Sequence, residues 1–319
     1  MKDTVKKIIA VTALLLGVIL ILSGGLGYLL ISHEPQTTHI ISENQKEFLK
    51  DKEKRQEKIE NAEYGGEVTH VEGAAISEAR LNYNSSVEEY GIGSVYIPSS
   101  NISIPLLAGT SEWNLLNGVA TASANQKLGE GLFIGLSHNL VNERLLQNID
   151  QAEKNDLVYL TDFTNVYIYK ISEQKVVHET ESYYLQEPNE GEDAKLLLYR
   201  CEGELNTDWR RIIYGDYIKK EKIKDVDEKI LAGLMIDVEG IKEESPEIDS
   251  SKTYNKQNQR NNKKESKNIF QIIVSKIIDW ISKSDALTTF SLRIYGLADS
   301  YTLFFFLFIL LLFIIYYLI

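Results

Sequence analysis

The chain of 319 residues holds one cysteine, Cys201, which closes the apolar run Ala194–Cys201 and precedes the pair Arg210 and Arg211 by nine and ten residues. A lone cysteine makes no intramolecular disulfide and no thiolate zinc site. Two roles remain: a buried thiol that packs as a small hydrophobe, or a nucleophile. Of the five histidines, His33, His39 and His70 lie in flanking or linker sequence, and His178 ends a predicted strand beside Glu179. His138 follows the small and apolar stretch Gly131–Ser137 and precedes a loop, which places it at the end of a strand. Taken with Cys201 and Arg210 it completes a chemical set. A thiolate attacks a carbonyl, an imidazolium protonates the leaving amine, and a guanidinium donates hydrogen bonds to the oxyanion. Nearby positive charge favours the thiolate, and arginine suits the third role because it stays protonated and offers a planar fork of donors.

Such a set needs strands that end together. Between Gly91 and Lys220 short apolar runs alternate with turn residues, as in all-β domains. The pattern predicts strands at Val95–Ile97, Ile102–Leu107, Leu132–Leu136, Leu157–Thr161, Val166–Ile171, Lys175–His178, Ala194–Tyr199 and Arg211–Ile218. Two helical pieces interrupt them, near Trp113–Asn117 and Asn142–Lys154, the second because Leu145, Leu146, Ile149 and Ala152 recur at helical spacing. Many short strands with one or two short helices imply a mainly β fold, a closed barrel, with the candidate residues at its mouth.

The two ends have a different character. Residues 8–32 carry no charge and are long enough to cross a hydrocarbon core, with Lys2, Lys6 and Lys7 before them, so the N-terminus (1–7) is expected in the cytoplasm and the domain outside the cell. An uncleaved anchor is preferred to a signal peptide because the apolar run is longer than a usual signal core. A charged stalk and linker is expected over 33–89, an acidic to polar, partly disordered linker over 223–268, and an amphipathic juxtamembrane region over 269–300. The apolar and aromatic run 301–319 is expected to be a second membrane segment. A net charge of −12 argues against nucleic acid as a partner.

Five stretches, Gly93–Thr110, Gly129–Asn139, Asp156–Asp162, Leu196–Cys201 and Arg210–Gly215, resemble in order and spacing the landmarks of the sortases. The resemblance covers about residues 90–220, and the catalytic domain is expected over 90–222. It implies an eight-stranded sortase-type barrel and a membrane-anchored cysteine transpeptidase acting on surface or pilin proteins at a sorting signal of the Leu-Pro-x-Thr-Gly type. The acyl group would pass to an amine such as that of a cell-wall peptidoglycan precursor. On that resemblance Cys201 is the nucleophile, His138 the general acid and then base, and Arg210 the stabiliser of the oxyanion or the substrate. Arg210 is chosen over Arg211 by its spacing from Cys201 and Gly215, since neighbouring strand residues face opposite ways. No cofactor is expected; calcium occurs in the family, but no acidic cluster here has the spacing of a dedicated cage.

Two features depart from the family pattern. Arg200 stands where a small hydroxyl residue usually precedes the nucleophile, and the second membrane segment belongs with pilin-polymerising sortases, whose Asp-Pro-aromatic lid motif is missing here. The expectation is therefore a housekeeping-like catalytic domain with an added tail. The alternatives are a pilin-polymerising enzyme, a hydrolase that passes the acyl group to water, and a non-catalytic membrane scaffold.

Overall fold

In the computed structural model, the described residues are 2–32, 52–65, 71, 73–140, 145–189, 191–203, 207–236, 276 and 285–299. Eight strands close into a barrel: β1 (Gly91–Ile97), β2 (Ile102–Leu107), β3 (Val119–Thr121), β4 (Leu132–Ser137), β5 (Leu157–Thr161), β6 (Asn165–His178), β7 (Lys195–Cys201) and β8 (Trp209–Lys222). Their order around the barrel is β1-β2-β3-β4-β7-β8-β6-β5. The pairs β2/β3 and β4/β7 are parallel and the others antiparallel.

The apolar run of β7 is continuous because that strand is buried on both faces. Leu196 and Leu198 point into the barrel with Phe133 and Ile213. Leu197 and Tyr199 point outward against Leu132, Tyr184 and Ile212. The same two-residue alternation runs through β4 and β8, and it later decides which polar side chains can meet.

The strand number matches the expectation, but two strands differ from it. β3 is only Val119–Thr121, too short to show a period, and was missing from the sequence reading. The two segments Val166–Ile171 and Lys175–His178 are one strand, β6, whose polar Ser172–Gln174 marks an irregularity in its pairing with β8 rather than a turn. The helix expected over 142–154 is also corrected. Residues 142–144 lie outside the described residues, Leu145 adopts φ 55°, and only a 3-10 turn follows at Gln147–Gln151. Leu145, Leu146, Ile149 and Ala152 are buried, so the spacing reported burial and not an α-helix.

The barrel's flanks are more structured than their composition suggests. Helix α1 spans Lys2–Ser32, and α2 spans Lys52–Asn61 in the predicted stalk. The α2 helix packs on the barrel: Arg55 is buried with its Nη2 donating to Thr164 Oγ1 at 2.9 Å, and Ile59 and Ala62 meet the main core. The predicted linker holds α3 (Gly73–Leu81) and α4 (Tyr83–Tyr90), and α5 (Glu112–Asn117) precedes β3.

Residues 223–236, read as the start of a linker, cover a second apolar cluster instead. Ile223, Leu231, Leu234 and Met235, around α6 (Glu228–Gly233), pack on Phe163, Val166 and Ile168. Ser94 Oγ and Ser103 Oγ donate to the carbonyls of Leu234 and Gly233, both at 2.6 Å. The packed unit therefore runs past 222 to at least 236.

At the other end, α7 (Asp285–Asp299) lies against the last turns of α1. Gly27 there approaches the Ser291 carbonyl so closely that an added Cβ would fall 2.3 Å from its oxygen. Residues 237–275, 277–284 and 301–319, with the polar linker and second membrane segment expected on them, lie outside the described residues.

The revised boundary has a measurable consequence. Leu234→Ala should lower the unfolding free energy by about 2–5 kcal/mol in urea denaturation, the cost of a large-to-small change in a closed core. A linker residue would change it by less than about 0.5 kcal/mol.

Candidate active site

Strand register brings the three candidates together. β7 runs between β4 and β8, with Ser137 level with Arg200 on one side and Arg210 opposite Cys201 on the other. Phe133, Leu196, Leu198 and Ile213 face the barrel interior. By alternation Ser137, Arg200 and Arg211 share that side, while Cys201, Arg210 and the position after Ser137, His138, share the outer one. The Glu202 N–H donates to the Trp209 carbonyl at 2.9 Å, which makes Cys201–Arg210 the adjacent non-hydrogen-bonded pair. In such pairs the facing side chains approach most closely.

Cys201 is half-buried at the strand end, as a thiol must be to meet a substrate. His138 is 5% exposed; its backbone N–H donates to the Leu115 carbonyl of α5 at 3.0 Å, and its Nε2 has no hydrogen-bond partner among the described residues. Burial without a counter-charge disfavours the imidazolium and pushes the His138 pKa down to about 4. The resting imidazole is therefore neutral near pH 7, able to accept a proton from the thiol and then deliver it.

Arg210 is held by neighbours rather than by the nucleophile. Its Nη2 meets Glu179 Oε2 at 2.7 Å, and its Nη1 donates to the carbonyls of Thr207 and Trp209 at 2.6 and 3.0 Å. Arg211 binds Glu202 through Nε and Nη2 at 2.9 and 2.7 Å, on the face away from Cys201. Glu202 also receives Arg200 Nη1 at 2.8 Å. The hydrogen bond from Arg211, with the charges of both guanidinium groups, holds its carboxyl below the ordinary range.

Sequence reasoning did not single out Glu179 and Glu202, which fix the two strand-end arginines. Their proximity in sequence to His178 and Cys201 was visible, but the pairing across β6, β7 and β8 was not.

Residues 95–218 match the family model of the sortase domain. That segment is a sortase domain. The chain is 29% identical to sortase A of Listeria monocytogenes over 234 residues, 70% of this chain and 97% of that protein. It is 30% identical to sortase A of Bacillus anthracis over 128 residues, 40% of this chain and 60% of that one. The crystal structure of Listeria monocytogenes sortase A aligns with a TM-score of 0.41 and 28% identity, covering 46% of this chain and 97% of that one.

The buried imidazole of this domain gives a pH prediction. An unfolded histidine binds its proton near pH 6.5, the folded His138 only near pH 4, so stability is lost as pH falls between those values. The loss reaches about 3 kcal/mol at its limit. His138→Gln should remove that part of the acid destabilisation, read as a smaller fall in melting temperature between pH 6.5 and 4. Equal falls in both proteins would mean that His138 is solvated.

Proposed function

We propose that this sortase is a membrane-anchored transpeptidase that cuts surface proteins at a Leu-Pro-x-Thr-Gly-type signal and transfers them to a cell-wall amine. The observation that carries the reading is the register that sets Cys201 opposite Arg210, with His138 on the same face one position beyond the Ser137–Arg200 pair. Cys201 gives its proton to the neutral His138, and the thiolate attacks the carbonyl carbon of the signal threonine. Arg210, exchanging a contact with Glu179 for one with substrate, donates to the oxyanion. The C–N bond breaks as His138 returns the proton to the leaving amine, which leaves a thioester on Cys201. An acceptor amine then attacks the thioester, loses its proton to His138, and releases the thiol as the C–S bond breaks. Water in place of the amine gives hydrolysis.

The anchoring supports the same reading. Helix α1 has 31 residues, including the apolar stretch Leu14–Ile31, enough to cross a bilayer. The lysines at its start favour a cytoplasmic N-terminus and an extracellular barrel.

Full-length protein in detergent should cleave a fluorogenic Leu-Pro-Glu-Thr-Gly peptide, form a new product with triglycine, and lose both activities in Cys201→Ala. Cleavage with no triglycine product would assign a hydrolase, and cleavage surviving Cys201→Ala would remove the nucleophile. In the same assay Arg210→Ala should lower kcat by about 10²–10³, the usual cost of an oxyanion donor, and Arg211→Ala by far less. The reverse order would transfer the role to Arg211.

A further inference from the structure

The residue the family resemblance leaves unexplained, Arg200, is the most highly bonded side chain at the site. It is 6% exposed although charged. Its Nε donates to the carbonyls of Leu146 and Gln147 at 3.0 and 3.2 Å, and its Nη2 donates to Gln147 again at 2.9 Å. Its Nη1 reaches the carbonyl of Cys201 itself at 2.7 Å and Glu202 Oε2 at 2.8 Å. One guanidinium thus joins the nucleophile's own peptide group to the turn beyond His138. That turn is tied back to the residue after His138 by the bridge Asn139–Leu145. Through Glu202 and Arg211 the same group is fastened to β8.

A buried cation is retained only where it is paired and its donors are used, and here the donors reach the carbonyls of Leu146 and Gln147 on one side and the Cys201 carbonyl and Glu202 carboxylate on the other. A lysine keeps the charge but cannot span these acceptors, because its ammonium has no rigid fork.

We propose that Arg200 is a positioning residue, a clamp that fixes the His138 loop against the Cys201 strand so that imidazole and thiol act as one acid–base pair. This rests on the proposed roles of His138 and Cys201, and it assigns to Arg200 a function that the usual small hydroxyl residue has no reach to perform. Arg200 faces the barrel side of β7 and Cys201 the outer side, so the clamp works through the backbone and not by touching the reacting atoms.

The test is a double-substitution cycle on full-length protein, read as the rate of Cys201 alkylation by iodoacetamide against pH. The chain has no other cysteine, so alkylation reports this thiol alone, and no sorting signal is needed. As the S–C bond forms and iodide leaves, the thiol proton passes to the imidazole. His138→Gln should therefore slow the reaction at pH 7 by about tenfold in the otherwise native chain. In Arg200→Met and in Arg200→Lys, both checked for folding by their melting transitions, the same His138→Gln change should cost less than about twofold, because the pair is already uncoupled. Should Arg200→Met fail to fold, Arg200→Lys carries the test.

An undiminished His138→Gln effect in either folded Arg200 variant would overturn the clamp while leaving the acid–base pair intact. If His138→Gln has no effect in the native background, the acid–base pair itself is wrong and the clamp falls with it.

Discussion

The period of two along β7 is the constraint on which the site depends. Leu196 and Leu198 enter the barrel core while Leu197 and Tyr199 fill the outer cluster, so a slip by one residue would exchange the two sets and turn Cys201 to the opposite face. The fit of each set to its own cluster thereby fixes which way Cys201 points. The flanking strands pass that direction on, because β4 runs in parallel register and β8 in antiparallel register with β7. The polar chemistry at the barrel end inherits its precision from hydrophobic packing several residues away.

A second consequence concerns the membrane end. The last turns of α1 pack with Leu292 and Tyr295 of α7 and with Ile76 and Leu81 of α3. Ile76 also belongs to the apolar cluster of Ala79, Leu116, Leu140 and Leu145, which surrounds the segment leading away from His138. A continuous run of packed side chains therefore joins α1 to Leu140 and Leu145. Between them α3 makes apolar contacts on both sides, through Ile76 and Leu81 to α1 and through Ala79 to Leu116. The barrel face that carries Cys201 and helix α1 are thus held by neighbouring parts of one packed structure.

Much of the barrel was legible because strands such as Ile102–Leu107 and Leu157–Thr161 announce themselves by local runs bounded by turn residues. What stayed hidden was nonlocal. Val119–Thr121 is a strand only because β2 and β4 flank it, and Ser172–Gln174 stays in β6 only because β8 pairs across the irregularity. The helices at Gly73–Leu81 and Tyr83–Tyr90 have small or sparse apolar faces whose partners are far away in sequence. The positive φ at Leu145 defeated a periodic pattern that was real in burial and misleading in conformation. At the site, residue types pointed to Cys201, His138 and Arg210. The ion pairs of Glu179 and Glu202 and the five hydrogen bonds of Arg200 depend on contacts that no spacing encodes.

The central claim is that the register of β7 and β8 sets Cys201 opposite Arg210 and turns Arg211 away. Because the chain has one natural cysteine, a second one introduced on β8 reports that geometry directly. Facing residues of a non-hydrogen-bonded pair lie close enough for a disulfide, with Cα atoms about 4.5 Å apart. Under mild oxidation Arg210→Cys should lose both free thiols within a single chain, measured by mass spectrometry after thiol labelling, whereas Arg211→Cys should keep both. An intramolecular disulfide in Arg211→Cys and none in Arg210→Cys would contradict the register, and with it the arrangement of the site.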